Sequence, residues 1–349
     1  SDHSKDVFHS LSKKFKLNFH IKDLYNFKKF NSIVIIGMGG SILGAEGIHQ
    51  FMANKVKKKI YFFDNLDEKK SLEFKNTKNF DKTLFLIISK SGHTLETLSN
   101  LIFFNIIKKN SKNIIIISEK KNNILFSISK KFNIFQIEHK KHIGGRYSVL
   151  SEVGIVPAYI MGLNIKNMRN NLYKHLFDKN QSFLKNCSIK LSYLLKGGKY
   201  NNLIFLNYAP ELEKFIFWCQ QLIAESLGKN KKGFLPVVSN VPKDHHSLLQ
   251  LYLDGPKDKI FYVFNFLKKK GFDNLKFSQK KAFVEVLKKN KIPFREINIK
   301  KLDEDTLGKL FFLFIVETLA LGELMKVNTF DQPAVEQVKV LTKKFLKLK

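Results

Sequence analysis

The stretch LFLIISKSGHTLETLSNLIFFNIIKK, residues 84–109, contains a short apolar run, a polar loop and a helical pattern in direct succession. LFLII has the length of a buried strand, and from Thr94 the apolar residues Leu95, Leu98 and Ile102 recur at steps of three and four. A strand that is apolar on both faces and leads into a helix is typical of a parallel sheet covered by helices. This unit therefore predicts an α/β fold.

The same alternation of apolar runs and helical patterns extends along the chain in two blocks. The predicted strands are residues 33–36, 60–63, 84–88, 114–117 and 134–137 in the first block, and residues 203–206, 234–238, 260–264 and 294–299 in the second. In the second block, helices are predicted at residues 211–227, 278–290, 304–326 and 332–347. We therefore predict two tandem α/β subdomains, each a parallel β-sheet sandwiched between helices. The predicted organisation is an N-terminal helical segment at 1–30, a first subdomain at 31–160, a helical connection at 161–196 and a second subdomain at 197–349 that ends in a helix.

The 349 residues carry a formal net charge of +31, which would suit a nucleic-acid partner. Only Arg146, Arg169 and Arg295 are arginines, however, and the lysines are spread along the whole chain. Because nucleic-acid readers usually need arginine forks as well as point charges, we expect no nucleic-acid partner. A field this positive should instead attract small anionic molecules.

Other compositional features predict a cytoplasmic protein. Cys187 and Cys219 form no disulfide framework or metal pattern, which fits a reducing compartment. The N-terminal residues contain no apolar run of signal-peptide length. The longest apolar run, residues 310–325, carries Glu317 and Glu323 and is short for a bilayer span, so we expect a core helix there and no membrane association.

The loop after the predicted strand at 84–88 offers an unusual number of polar groups. Ser89, Ser91 and Thr94 supply hydroxyls beside the free N–H groups of a helix N-terminus, and Lys90 adds a positive charge. An ordinary helix cap would account for one of these hydroxyls. Three hydroxyls and a lysine are better explained by the binding of a phosphate, which helix N-termini favour.

A second candidate loop, GMGGSILG at residues 37–44, follows the first predicted strand. Its glycines would allow the backbone to approach an anion or a sugar closely, and Ser41 could donate a hydrogen bond to a ligand. A dinucleotide-binding fingerprint is the alternative, because Asp64 ends the second strand. Ile42 occupies the place of the third glycine in that fingerprint, so we disfavour a nicotinamide cofactor.

Two charged positions stand out from the rest of the chain. Arg146, in GGRYS at residues 144–148, is retained where the composition otherwise uses lysine, which indicates a need for a planar fork or a permanent charge. Glu225 lies near the C-terminus of a predicted helix, where a carboxylate is unfavourable with the helix dipole but useful as a general base. A surface ion pair and a solvated glutamate are the competing explanations.

Polar residues near the C-terminal half add further candidates. The adjacent His245 and His246 lack the i, i+4 spacing of a helical metal pair, so a single acid–base histidine is more natural than a zinc site. Gln332 and Lys339 lie seven residues apart at the start of the last predicted helix and therefore share one face of it.

Taken in order along the chain, six motifs resemble those of the glucose-6-phosphate isomerases. They are GMGGSILG, SKSGHTLET, GGRYSVLSEVG, QQLIAESLGK, the histidine ahead of SLLQL, and FDQPAVEQVK. The resemblance runs from about residue 30 to the C-terminus. It implies a fold of two sugar isomerase (SIS) subdomains and the interconversion of glucose 6-phosphate and fructose 6-phosphate through a cis-enediolate, in glycolysis and gluconeogenesis. It implies no metal and no redox cofactor.

The resemblance also implies roles for individual residues. Glu225 would move a proton between C2 and C1, Arg146 would stabilise the enediolate, and His246 with Lys339 would open the sugar ring. The substrate and its phosphate would be bound by Gly40, Ser41, Ser89, Lys90, Ser91, Thr94, Gly145 and Gln332. In the family this histidine comes from the other subunit, so a homodimer is expected. The local sequence VPKDHH departs from the GTNGQH of long members, which leaves His245 as an alternative to His246.

Two other functions fit parts of the pattern. A dual phosphoglucose and phosphomannose isomerase would use the same groups, because epimers at C2 differ only in the face that the base serves. A non-catalytic sugar-phosphate sensor built on SIS subdomains would need the phosphate loop but not Glu225, Arg146 or Lys339. The presence of these three residues together favours an enzyme.

Overall fold

The computed structural model describes residues 2–170, 172–174, 180–267 and 271–347. Within these ranges the strands form two parallel sheets, one of five strands and one of four, which follow one another along the chain. Helices cover both sheets, so the predicted fold class is confirmed. The exact subdomain boundaries remain a prediction.

The first sheet has the strand order β2-β1-β3-β4-β5. Its strands are β1 (Ser32–Gly37), β2 (Lys59–Phe63), β3 (Thr83–Ile88), β4 (Ile114–Ser118) and β5 (Phe135–Glu138). The helices of this part are α1 (Asp2–Leu11), α2 (Ile21–Leu24), α3 (Leu43–Phe51), α4 (Glu68–Thr77), α5 (Leu95–Phe104), α6 (Ile124–Lys131) and α7 (Glu152–Ile160).

The second sheet has the order β7-β6-β8-β9. Its strands are β6 (Asn202–Asn207), β7 (Leu235–Asn240), β8 (Lys259–Phe266) and β9 (Phe294–Ile299). The helices of this part are α8 (Ile165–Met168), α9 (Asn180–Lys196), α10 (Glu213–Leu227), α11 (Leu249–Leu253), α12 (Asp273–Lys289), α13 (Glu304–Met325) and α14 (Pro333–Lys347). Residues 171 and 175–179 of the predicted helical connection lie outside the described ranges.

The side chains of β1 show why these strands are apolar on both faces. Ile33 and Ile35 point into a central core that is shared with the second sheet, whereas Val34 and Ile36 belong to a separate cluster on the outer face. Successive residues of a strand point to opposite faces, so both faces of a covered strand must be apolar.

The helix that was predicted from Thr94 to about residue 109 is shorter than its apolar pattern suggests, and this part of the prediction is wrong. Helix α5 ends at Phe104, because Asn105 adopts the left-handed conformation with φ 51° that commonly terminates helices. Ile106 is nevertheless buried in the outer cluster, which explains the continued apolar pattern.

Helices α3 and α10 pack closely between the two sheets. A Cβ atom on Gly47 of α3 would lie 3.1 Å from the Cα atom of Phe215 on α10, so the glycine permits close contact. Phe215 and Trp218 continue this core against Phe311 of α13, with ring centroids 5.3 Å and 4.8 Å from it. Because α3 follows the glycine-rich loop and Glu225 lies in the last turn of α10, this packing fixes the loop relative to the glutamate. Among the helices in the described ranges, none combines the length and apolar character needed to cross a bilayer.

Candidate active site

Three loops of the first subdomain meet at the carboxyl edge of its sheet. Gly37, the last residue of β1, pairs with Ile88 at the end of β3, so the loops at 38–41 and 89–94 leave the sheet side by side. A Cβ atom on Gly40 would lie 2.3 Å from the carbonyl carbon of Gly145, so the glycine-rich loop and the loop after β5 are in backbone contact. Only glycine fits this approach.

The predicted phosphate loop is held in shape by its own hydroxyls. Ser89 is buried, and its Oγ atom lies 2.8 Å from Thr94 Oγ1 and accepts a hydrogen bond from the Gly92 N–H at 3.2 Å. Gly92 has φ +66°, which turns the chain at this point. Ser91 is exposed at the tip of the loop. The loop therefore presents Ser91 and its backbone to solvent, while the Ser89 hydroxyl also supports the turn.

Lys90 lies in a field of several charges. Its Nζ atom is 3.8 Å from Glu119 Oε1, and its side chain is 30% exposed. Burial lowers the pKa of the Lys90 ammonium; Glu119 opposes this shift, while the positive charges of Lys121 and Arg146 add to it. The charge of Arg146 is therefore close enough to affect Lys90 in the predicted phosphate loop.

Arg146 is buried and forms hydrogen bonds through all three of its guanidinium nitrogens. Its Nε atom donates to Ser226 Oγ at 2.9 Å. Nη2 donates to the backbone carbonyls of Thr329 at 2.5 Å and of Asp331 at 3.0 Å. Tyr147 extends the network, since its hydroxyl donates to the Thr329 carbonyl at 3.0 Å. A guanidinium with this many partners is fixed in position. These contacts use the planar fork of arginine, which explains why arginine is retained at this position of a lysine-rich chain.

The remaining nitrogen of Arg146 faces the proposed base. Its Nη1 atom lies 3.1 Å from Glu225 Oε2 and 3.2 Å from Gln332 Oε1. The other carboxylate oxygen, Oε1, accepts a hydrogen bond from Gln221 Nε2 at 2.8 Å, one turn back on α10. The Glu225 side chain remains 31% exposed. Arg146, Glu225 and Gln332, which are distant in sequence, thus form one constellation.

A cavity of about 460 Å³ borders this constellation. Glu225, Gln332 and Pro333 form part of its wall. Its size is within the range of small-molecule sites in proteins. The carboxylate therefore faces a space that a small substrate can enter.

The two adjacent histidines have different surroundings. His245 is partly buried: its Nε2 atom lies 2.9 Å from the Tyr208 hydroxyl, and its ring packs against Phe283 at 5.7 Å between centroids. Burial lowers the pKa of His245, and neighbouring His246 adds to this effect. His246 is exposed. Of the two, His246 is thus the one whose ring is accessible to a ligand or a second subunit.

Lys339 is not brought to the constellation. On α14 its Nζ atom lies 2.7 Å from Glu336 Oε1, and both side chains are more than half exposed. Glu336 is the sole ion-pair partner of Lys339 within the described part of the chain. Its predicted role in ring opening stays a prediction.

Several groups that build the site were not predicted from the sequence. Gln221 donates to Glu225, Ser226 accepts from Arg146, Tyr147 is hydrogen-bonded to Ser226, and the backbone carbonyl of Thr329 accepts from both Arg146 and Tyr147. Gln221 could have been found from its i, i+4 spacing to Glu225. The carbonyl contribution of Thr329 has no side-chain signature and could not.

A carboxylate beside a fixed cation can remove a proton next to a carbonyl while the cation stabilises the negative oxygen. Combined with the predicted phosphate loop and two parallel sheets, this arrangement fits the class of phosphosugar isomerases. A model of the phosphoglucose isomerase family matches residues 5–238 of this chain. The chain belongs to the phosphoglucose isomerase family. The predicted family and the predicted enzyme class, an aldose–ketose isomerase, are thereby confirmed.

Individual relatives agree with this assignment. The chain is 35% identical over 348 residues to the probable glucose-6-phosphate isomerase of Methanococcus maripaludis, covering 88% of this chain and 77% of the relative. It is 35% identical over 353 residues to the glucose-6-phosphate isomerase of Methanocaldococcus jannaschii, covering 91% and 85%. The crystal structure of a glucose-6-phosphate isomerase from Chlamydia trachomatis has the same fold, with a TM-score of 0.80 at 20% identity over 99% of this chain and 74% of that one.

Proposed function

We propose that the chain interconverts glucose 6-phosphate and fructose 6-phosphate, with Glu225 as the base that carries a proton between C2 and C1. The observation that carries this proposal is the 3.1 Å contact between Glu225 Oε2 and the immobilised Arg146 Nη1. Family membership and the names of the relatives support the same reaction. The names of the relatives favour glucose-6-phosphate isomerase over dual specificity for mannose 6-phosphate, and the Glu225–Arg146 contact favours an enzyme over a sensor.

In this mechanism the carboxylate and the guanidinium act on adjacent atoms of the open-chain sugar. Glu225 removes the C2 proton of the aldose and returns it to C1 of the ketose, as a general base and then a general acid. Negative charge develops on the substrate oxygens in the cis-enediolate, and Arg146 meets that charge. Because Arg146 is already fixed by its hydrogen bonds, little reorganisation is needed at the moment of reaction.

The phosphate group is the part of the substrate that does not react. We assign its binding to Ser89, Lys90, Ser91 and Thr94, with Ser41 beside them on the adjacent loop. The pairing of β1 with β3 supports this assignment, because it places the two loops side by side. Binding energy from the phosphate then orients the reacting carbons.

We assign ring opening to His246, supplied by the second subunit of a homodimer, together with Lys339. The exposure of His246 and the packing of His245 against Tyr208 and Phe283 support this choice. A dimer also accounts for the surface of α14. Val335, Val338, Leu341 and Phe345 recur at steps of three and four on that helix, and all four are exposed.

We place the reaction in the cytoplasm. The two cysteines support this location, since Cys187 and Cys219 are both free in the structure.

The function is tested by a coupled assay of fructose 6-phosphate conversion with wild type, Glu225→Gln and Glu323→Gln. Glu323 is an exposed carboxylate on α13 and serves as the matched control. We expect Glu225→Gln to lose kcat by roughly three powers of ten, as when a general base is removed, and Glu323→Gln to match wild type. Near-normal turnover in Glu225→Gln would contradict the assignment of the base.

The shared site is tested by mixing two inactive variants, Glu225→Gln and His246→Ala, in one co-expressed preparation. If each site combines Glu225 of one subunit with His246 of the other, a mixed dimer has one intact site. Random pairing then restores about a quarter of wild-type activity, because half of the dimers are mixed. No restoration despite confirmed mixed dimers would show that the histidine acts within its own chain. Repeating the experiment with His245→Ala identifies the histidine.

A further inference from the structure

Lys229, the last residue of the motif QQLIAESLGK, has no role in the mechanism above, yet its side chain is only 10% exposed. Its Nζ atom donates to the Ser226 carbonyl at 3.0 Å and to the Asn328 carbonyl at 2.5 Å. Asp331 Oδ1 lies 3.4 Å away. These three acceptors match the three donors of an ammonium group.

The partners of Lys229 lie on the two segments that build the catalytic constellation. Ser226 belongs to the last turn of α10 and directly follows the proposed base, Glu225. Asn328 and Asp331 belong to the segment that carries Gln332. A cation at the carboxyl end of α10 also interacts favourably with the helix dipole. Lys229 thus ties the end of the catalytic helix to the segment opposite it.

Arg146 bridges the same two segments from the other side. It donates to the Ser226 hydroxyl and to the carbonyls of Thr329 and Asp331. The segment at 328–332 is therefore held between two cations, and one of these, Arg146, contacts the proposed base. Loss of the other would leave the acceptors of the Arg146 guanidinium less firmly placed.

We infer that Lys229 is a positioning residue for the isomerase reaction: by clamping residues 328–331 to the end of α10, it fixes the acceptors that orient Arg146 against Glu225. This inference rests on the proposed function. Lys229 also lines the cavity beside Glu225, and the inference assigns it an effect through residues 328–331 and not on the reacting atoms. Misplacement of a catalytic group by about 1 Å can reduce a rate by roughly two powers of ten, so a clamp of this kind has a measurable effect.

Lys232 provides a matched control. It lies three residues further along, its Nζ atom donates to the Met325 carbonyl at 2.8 Å, and it is exposed. It therefore also links this loop to the end of α13, but it does not contact Ser226 or the acceptors of Arg146. Lys232→Met removes the same charge and the same type of bond without touching the clamp.

The experiment measures kcat and KM for fructose 6-phosphate in wild type, Lys229→Met, Lys229→Arg and Lys232→Met. We expect Lys229→Met to lower kcat by about 10- to 100-fold with KM within about threefold, because the phosphate loop is on the other subdomain. Lys232→Met should match wild type. Lys229→Arg, which keeps a charge and several donors, should recover at least several-fold of the lost kcat.

The outcomes separate the inference from the function on which it rests. An inactive wild type would overturn the proposed function. An active wild type with kcat of Lys229→Met within twofold of it would overturn the clamp alone, as would equal losses in Lys229→Met and Lys232→Met. If Lys229→Met does not fold, Asp331→Asn weakens the same clamp at a half-exposed position. We then expect a twofold to fivefold loss of kcat, and an unchanged kcat overturns the clamp.

Discussion

At the scale of single residues, each of the three arginines in this lysine-rich chain makes contacts that require a guanidinium group. Arg146 holds side-chain and carbonyl acceptors around the proposed base. Arg169 donates to the carbonyls of Leu150, Ser10 and Ser12, and so ties the N-terminal segment to the loop after β5. Arg295 pairs with buried Glu317 at 2.5 Å and stacks on a tyrosine. Each needs a fork or a plane, which lysine lacks.

Replacing Arg146 with lysine tests whether the fork itself is needed. An ammonium group has the charge but cannot satisfy the same acceptors in one plane. We expect Arg146→Lys to lower kcat by about two to three powers of ten, the loss typical of removing a donor to a developing negative charge. Arg295→Lys should lower the melting temperature but leave kcat near wild type. A kcat of Arg146→Lys within tenfold of wild type would show that charge alone suffices.

At the scale of elements, the contact between the glycine-rich loop and the loop after β5 is the tightest part of the site. A Cβ atom on Gly40 would lie within 2.6 Å of three backbone atoms of Gly145 and Arg146. Since Arg146 is in one of these loops and Ser41 in the other, any separation of the loops changes the distance between Ser41 and the Arg146 guanidinium. The close approach of Gly40 to Gly145 therefore fixes the distance between these two loops of the site.

Gly40→Ala should force these loops apart. We expect a loss of about 1–3 kcal/mol in the free energy of unfolding, as for other overpacked sites, together with reduced kcat/KM. Gly197→Ala is the control, because a Cβ atom there would meet no atom within 4 Å. Urea unfolding and steady-state kinetics measure both effects. Equal behaviour of the two variants would rule out the tight contact.

The strands of this chain are predictable from its sequence, whereas some contacts of the site are not. All nine strands in the described ranges lie within two residues of their predicted bounds, because strands covered on both faces are continuous apolar runs. Glu225, Arg146 and Gln332 were predicted as site residues, and the structure brings them together. The clamp by Lys229 and the carbonyl of Thr329 were not predicted, since backbone acceptors depend on tertiary placement and leave no pattern in the sequence.

At the scale of the whole molecule, a single central core joins the two sheets through α3, α10 and α13. The site lies across this junction, with the phosphate loop and Arg146 on the first subdomain and Glu225 on the second. Any change that weakens the core therefore also disturbs the distance between the cation and the base. The proposed dimer would make the site depend on subunit association as well, because in the dimer each His246 enters the site of the neighbouring subunit.

Buried His139, directly after β5, makes the stability of the whole chain depend on pH. Its Nε2 atom has no hydrogen-bond partner among the described residues, and burial, with Lys90 nearby, lowers the pKa of His139 to about 4. In the unfolded chain this pKa is near 6.5. The unfolded state therefore binds the extra proton between these values, and stability falls as the pH drops from about 6.5 to about 4.

From this group alone we expect the free energy of unfolding to be roughly 2 kcal/mol lower at pH 5 than at pH 7.5. His139→Gln should flatten that dependence, whereas His93→Gln, at an exposed position on the phosphate loop, should leave it unchanged. Urea unfolding curves at the two pH values provide the comparison. The same slope in wild type and His139→Gln would contradict a neutral buried imidazole.

The central claim is that Glu225 carries the proton between C2 and C1, and deuterium exchange observes that step directly. Wild type and Glu225→Gln are incubated with fructose 6-phosphate in D₂O, and NMR follows deuterium at C1 of the ketose and C2 of the aldose. We expect incorporation at these two carbons in wild type and a rate lower by roughly three powers of ten in the variant. Incorporation at a similar rate in both proteins would contradict the account.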